Sequence, residues 1–493
     1  MTKNKNHGAV SLVLMIIISC MTQVLTLLKS TVVAGHFGIS VEMDAFNFAN
    51  SIVSFVFGFV SAAISTVVIP KYASNYSRKA VDSFITLLYG ILGGIVAFLI
   101  IFRYPIISAF SNKGDEYTFY VCDIMLILLV ANYLFSLTYV TTGFYQCIGK
   151  YNVPKVLNAL MQALVVASLY FFRDITISQY ALIIAIGFLT NVLFDIIIAV
   201  KVGWRYRPTF SFGSDETTQL FKLFFPIIVS TGVYRISLFT DSIIASKLET
   251  GQLSILGYSM QIVSMVNAIL VGNLLMYAYP KIVKFVQKSN TQTKFWGYVS
   301  FFHLIICMMI SGFATVGLEG LTVLLEHGSF KASATNAVFV CSMIYIAGQQ
   351  TNIIRDLIYR YFYATGNTKT PAGNSMLVAI INIIVSLILV RFFGVYGVVI
   401  GTVVASAVSL FRISLQFKRK IGFGLPVWEI IISFSKNILI SLITIVVVLV
   451  TKKNIVISSC VGRMLVFGIE TVILFCVLTF LIKRDTLTLV KNI

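Results

Sequence analysis

DAFNFANSIVSFVFGFVSAAISTVVIPKY, residues 44–72, is apolar enough to lie in a membrane, yet it carries a row of small and polar side chains. Asn47, Ser51, Ser54, Gly58, Ser61 and Ser65 follow one another at spacings of four, three, four, three and four, the period of one helix face. Such a face either lets a neighbouring helix approach closely or borders water inside a bundle. In a carrier with two states it can do both.

The rest of the chain settles which solvent applies. Of 493 residues 58% are hydrophobic and 11% charged, mean hydropathy is +0.93, and runs of about 20 apolar residues recur from end to end. This composition is that of an integral membrane protein. The first run, Ala9 to Leu28, is too long for a signal peptide and has no small-residue cleavage site, so it reads as the first span.

About fourteen spans follow, centred near Ser19, Phe57, Gly93, Leu128, Leu164, Phe188, Val229, Val266, Met308, Gln349, Ile381, Ala405, Ser441 and Val472. Backbone groups in lipid need internal partners, and no ten-residue alternating pattern is present, so the expected fold is all-helical. Cations test the count. The even-numbered connections collect Lys71, Arg78 and Lys79, then Lys150 and Lys155, then Lys201, Arg205 and Arg207, then Lys281, Lys284, Lys288 and Lys294, and the triplet Lys418 to Lys420. The odd-numbered ones are poorer, which puts both termini on the cytoplasmic side. The net charge of +19 is then topogenic charge facing anionic lipid, and it implies no nucleic-acid partner. Seven scattered cysteines form no CxxC pair, and four distant histidines form no metal motif. No connection exceeds roughly 20 residues, so no soluble catalytic domain is inserted and no enzyme is expected.

A repeat organises the chain. VIPKY, with Pro70, returns as AYPKI, with Pro280, and GFYQCIGKYNVPKVLNAL (143–160) returns as YFYATGNTKTPAGNSML (361–377), aligning Gly149 with Gly366 and Pro154 with Pro371. Six spans separate the copies, so the halves share one orientation and are parallel repeats. The expected division is an N-lobe over 1–208, a C-lobe over 209–424 and a terminal helix pair over 425–493.

The stretches TVVAGHFGISVEMDAFNFA, FFPIIVSTGVYRISLFTDSIIASKLETGQLSILGYSMQI and FYATGNTKTPAGNS with FFGVYGVVIGT together resemble the MurJ-like lipid II flippases of the multidrug/oligosaccharidyl-lipid/polysaccharide exporter superfamily. The resemblance runs over nearly the whole chain. It implies two six-helix lobes plus a terminal pair, in a bacterial cytoplasmic membrane. It also implies export of an undecaprenyl-diphosphate-linked sugar from the inner to the outer leaflet by alternating access. The partners implied are that lipid-linked glycan and membrane lipids, with the protein a monomer.

Charges inside spans are costly, about 2.5–3.5 kcal/mol each on insertion scales, so they tend to face a cavity or a partner. Lys29 aligns with a family cavity arginine, but it follows the first apolar run and could snorkel. Arg235, deep in the seventh span, is either a diphosphate ligand or the ion partner of Asp241. Arg355 sits in the inner half of the tenth span, and Arg360 nearer its cytoplasmic end reads as an anchor. Asp44 suits substrate contact or an N-cap. Tyr345, Gln349, Asn352, Asp356, Tyr359 and Tyr363 recur at three and four along the tenth span and offer sugar-binding groups or interhelical bonds. For a coupling cation, sodium, the resemblance points to Asp241, Asn382, Ser386, Val398 and Thr402, with Ser386 in place of a carboxylate; the membrane potential is the other driving force.

One departure bears on substrate. The family's second helix typically brings a cavity arginine, and residues 44–70 contain no cation. A capsule, teichoic-acid or exopolysaccharide precursor is therefore an alternative cargo. A multidrug exporter of the same superfamily would favour buried acids, whereas the basic groups at 29, 235 and 355 at least match them here. A membrane glycan polymerase would need a large outer loop.

Overall fold

The computed structural model describes residues 3–68, 77–111, 113–172, 174–210, 215–268, 282 and 292–483. Among them there is no strand, and twelve helices are long and apolar enough to cross a bilayer. The other two expected spans, centred near Val229 and Val266, coincide with helices Asp215–Ser246 and Gln252–Val266, the second of which ends beside residues outside those described. The spans are numbered here by their order in the sequence. The fourth consists of two helices, Asp115–Phe135 and Leu137–Cys147, that meet at Ser136, and a short helix Arg103–Phe110 precedes it.

Helix starts follow local chemistry. Ser40 caps the second span, its Oγ accepting from the backbone N–H of Met43 at 3.2 Å, and Thr176 with Gln179 forms a reciprocal capping box on the sixth. In lipid the apolar faces turn outward and the polar ones inward. On the sixth span (Ile177–Lys201) Asn191 and Asp195 are buried while Leu193 and Phe194 are exposed. Asp195 accepts from the Thr141 hydroxyl, and its backbone carbonyl accepts from Tyr145 Oη at 3.1 Å, so its buried polar groups have partners.

The chain forms two compact units, Met1–Ser254 and Ile255–Ile493. In the first, the second span (Val41–Ala63, continued by a π-helical turn Ile64–Val68) packs against the fourth and the seventh, and the first (Lys3–Phe37) lies along the fifth (Asn152–Phe171). By contact the seventh span therefore belongs with the first six, whereas the sequence repeat divides the chain near residue 208. In the second unit the tenth span (Ala332–Ala364) and the eleventh (Lys369–Phe393) both pack on the twelfth (Val395–Lys420).

The second repeat signal has a geometric counterpart. Gly149 and Gly366 both have left-handed backbones, with φ of 74° and 77°. In each, the next residue's N–H reaches back five positions, Lys150 to Tyr145 O at 2.8 Å and Asn367 to Phe362 O at 2.9 Å, closing the same helix-terminating turn. The following helices begin three residues later, with Pro154 and Pro371 in their first turns where a missing N–H does no harm. The VIPKY and AYPKI copies fall mostly outside the described residues.

The terminal pair is fastened to the ninth span (Gln292–Leu325). Hydroxyls meet as Ser311–Ser441 at 2.8 Å and Thr315–Thr471 at 2.9 Å, and Lys452 pairs with the buried Glu319 at 2.5 Å. Without a hydrophobic drive between helices in lipid, such polar contacts and close packing do the joining.

Replacing Gly149 or Gly366 by valine is expected to cost about 1–2 kcal/mol each, because an L side chain disfavours that backbone. Gly94→Ala, on a helix with open space around it, should leave stability unchanged or raised. Thermal unfolding of the purified protein checks this, and an unchanged midpoint in both valine variants would contradict the shared turn.

Candidate functional site

The row on the second span is explained by the seventh. Phe239 stacks on Phe55 with centroids 5.2 Å apart and on Phe48 at 6.4 Å, and Phe59 covers Gly232, where a β-carbon would sit 3.2 Å from its ring. Between these aromatic contacts lies Gly58. A β-carbon there would come within 2.5 Å of both Cζ and Nε of Arg235. The absent side chain is thus the seat of a guanidinium.

Arg235 stands about two-thirds along the helix Asp215–Ser246. It makes no ion pair among the described residues, and its Nε is buried without a hydrogen-bond partner. The pairing with Asp241 weighed from sequence does not form, and Asp241 is buried. Asn47, on the same row, also has a buried Nδ2 without a partner, and Ser54 is exposed. The face is packed at Gly58 and open at Ser54.

Lys29 does not end its helix: the helix Lys3–Phe37 continues beyond it, as Val32, Val33 and Ala34 resume the apolar run. Its side chain is half-buried and hydrogen-bonds to no described residue.

Asp44 is neither cap nor open ligand. Ser40 holds the cap, and the Asp44 carboxylate is fully buried with both oxygens occupied. Oδ2 meets Lys113 Nζ at 2.8 Å and the Gly251 N–H at 2.8 Å, and Oδ1 accepts from Ser254 N and Oγ, each at 2.7 Å. It ties the start of the second span to the connection before the fourth and to the turn between the seventh and eighth, all on the side the cation pattern assigns to the exterior. Lys113, Gly251 and Ser254 escaped the sequence reading because nothing local marks a partner 69 or 207 positions away.

In the second unit the tenth span presents a connected polar edge. Asn352 Nδ2 donates to Gln349 Oε1 at 3.4 Å, Arg355 donates through Nε and Nη2 to Asp356 Oδ1 at 3.1 Å, and the guanidinium lies 5.8 Å from the Tyr359 ring centroid. Arg355 is therefore compensated where Arg235 is not. Tyr359 Oη accepts from Asn374 Nδ2 at 2.9 Å, and the same amide reaches Ser409 Oγ at 2.7 Å, so this part of the edge also joins helices.

Four residues of the expected cation set converge. Ser386 Oγ lies 3.3 Å from both Asn382 Oδ1 and the Val398 carbonyl, which Thr402 Oγ1 also reaches at 3.3 Å. These are neutral oxygens of the kind a hard monovalent cation takes, and the one carboxylate of the set, Asp241, lies in the other unit. Among the described residues no cluster of three or more His, Cys, Asp or Glu could hold a metal.

With this arrangement in view, comparison with known proteins is decisive on family. The sequence profile described as lipid II flippase MurJ matches residues 33–466. This chain belongs to the MurJ family. A Vibrio cholerae relative described as "Probable lipid II flippase MurJ" is 25% identical over 427 residues, covering 80% of each chain. One of the same description from Haemophilus influenzae is 25% identical over 421 residues, 79% of this chain and 81% of that one. A solved MurJ in an inward closed conformation superposes with a TM-score of 0.83 at 20% identity, over 96% of this chain and all of that one. An inward-facing multidrug transporter of the MATE family and MOP superfamily gives 0.65 at 14% identity, over 83% and 99%. The fold is that of the MurJ and MATE transporters, and the protein is a multi-pass membrane transporter.

Gly58→Leu places a branched side chain where the guanidinium lies and is expected to reduce transport at least about tenfold, as loss of one charge-assisted contact would. Gly94→Ala is the control and should transport normally. A vesicle assay in which Gly58→Leu matches the parent would contradict the seating of Arg235.

Proposed function

We propose that the protein carries lipid II, or a closely related undecaprenyl-diphosphate-linked glycan, from the inner to the outer leaflet of the bacterial cytoplasmic membrane, with both termini inside. The family supports the cargo class, and one feature of this chain supports the chemistry: a guanidinium held on Gly58 without an acidic partner among the described residues.

The cargo sets three physical demands. Its diphosphate is anionic and must not meet hydrocarbon bare. Its sugar needs hydrogen bonds, and its long tail loses nothing by staying in lipid. Arg235 answers the first with a planar fork suited to phosphate oxygens, and Lys29 adds a second cation without the fork. Within the second unit, Gln349, Asn352, Arg355 and Asp356 carry amides and a compensated pair, groups of the kind a sugar takes. Asp44 stays in its buried network and acts by latching. Its release from Ser254 and Gly251 would free the outer end of the second span, and alternating access needs such a step. No bond is made or broken in the cargo, so the protein acts as a carrier and not as an enzyme, and a single chain is proposed to suffice.

For the driving force, Asn382, Ser386, Val398 and Thr402 offer oxygens to a sodium ion. A negative-inside potential alone would favour outward movement of an acidic headgroup, at about 2.3 kcal/mol per charge per 100 mV.

The test is leaflet transfer of defined lipid-linked sugars by the reconstituted protein. Arg235→Ala is expected to slow transfer about 10- to 100-fold, Arg235→Lys to retain part of the rate, and Arg355→Ala to lose less than Arg235→Ala. Equal rates for Arg235→Ala and the parent would remove that residue from the mechanism, and transfer of no undecaprenyl-diphosphate sugar would overturn the cargo.

A further inference from the structure

A second ionic feature lies within the second unit, where the ninth, thirteenth and fourteenth spans meet. Lys483, immediately after the helix Cys460–Ile482, is only 8% exposed. Its ammonium donates to Ser300 Oγ at 2.6 Å, Asn437 Oδ1 at 2.7 Å and the Ser433 carbonyl at 3.3 Å. All three acceptors are neutral, and no carboxylate pairs with it among the described residues. Burial pulls its pKa down from the usual lysine range to about 8. A buried ammonium without an anion is a costly arrangement unless something completes it.

Beside it is a cavity of about 200 Å³ lined in part by Trp296, Ser300, Glu429 and Ser433. Ser300 Oγ, accepting from Lys483, lies 2.6 Å from Ser433 Oγ. In the cooperative direction the ammonium polarises Ser300, Ser300 donates to Ser433, and the Ser433 hydroxyl is left to donate into the cavity. Trp296 is 5% exposed, yet its indole Nε1 is buried with no hydrogen-bond partner. The cavity thus offers one donor backed by a cation, Ser433 Oγ, and is lined by Trp296, whose indole N–H has no partner. At its rim the exposed Glu429, in the first turn of the thirteenth span (Val427–Asn454), supplies the opposite charge.

A donor backed by an ammonium selects phosphate oxygens, and a carboxylate beside it selects an amine. The cavity lies at the N-terminal ends of the ninth and thirteenth helices and the C-terminal end of the fourteenth, the side the cation pattern assigns to the cytoplasm. We propose that this cavity binds the headgroup of an inner-leaflet aminophospholipid of the phosphatidylethanolamine type, its phosphate on Trp296 Nε1 and Ser433 Oγ and its ammonium on Glu429. The terminal pair is already fixed to the ninth span, so a lipid here would be a bound component of that assembly. This proposal does not depend on the transport reading.

The experiment counts lipids retained by the full-length protein in native mass spectrometry. Equal amounts of dioleoyl phosphatidylethanolamine and dioleoyl phosphatidylglycerol are supplied, with inorganic phosphate as a third arm. Phosphatidylethanolamine should be preferred. Trp296→Phe and Ser433→Ala should each lower its retention about two- to tenfold, with unfolding temperature unchanged, and Glu429→Gln should abolish the preference over phosphatidylglycerol. Equal retention of the two lipids by the parent protein, retention unaffected by Trp296→Phe and Ser433→Ala, or displacement of the lipid by inorganic phosphate would each overturn it.

Discussion

The structure depends on the cost of holding charge where water is scarce. Most of the buried charges have been given partners. Asp44 has Lys113 and three further donors, Glu319 has Lys452 at 2.5 Å, and Arg355 has Asp356. Arg235, like Lys29 and Lys483, pairs with no acid among the described residues, and its guanidinium lies on the bare backbone of Gly58. A protein that needs to receive an acidic headgroup must keep a cation uncompensated at some point, and the second span's small residues make room for one.

Seen in that light, the missing cation of the second span acquires a physical meaning. Residues 44–70 carry no Lys or Arg, but the seventh span delivers a guanidinium to their surface. The charge is present at the helix although the helix does not encode it. On this face the glycine that permits close approach is also the glycine that seats the Arg235 guanidinium, the group proposed to meet the cargo.

Architecture was legible because hydrophobic length and cation asymmetry are local properties. The spans, the helical class and the repeated glycine turn at Gly149 and Gly366 all follow from short windows of sequence. Lys29 shows the limit of such windows, since a single cation ends an apolar run on paper although the helix runs on to Phe37. Partnerships were not legible. Nothing near Asp44 announces Ser254, and nothing near Gly58 announces Arg235, because both contacts are made by chain segments roughly 180 to 210 positions apart that meet only after the helices pack. Polar stripes were readable as stripes, but whether Tyr359 faces cargo or bonds Asn374 is decided by a neighbouring helix.

The central claim is that an unpaired cation at the surface of residue 58 is required, whichever helix carries it. It is tested most directly by moving that cation. In vesicles, Arg235→Ala should transport poorly and the double variant Gly58→Arg with Arg235→Ala should recover a substantial part of the parent rate, since the guanidinium then arises from the second span in space the first substitution vacates. A double variant no faster than Arg235→Ala alone, in protein that is folded and inserted, would contradict the account.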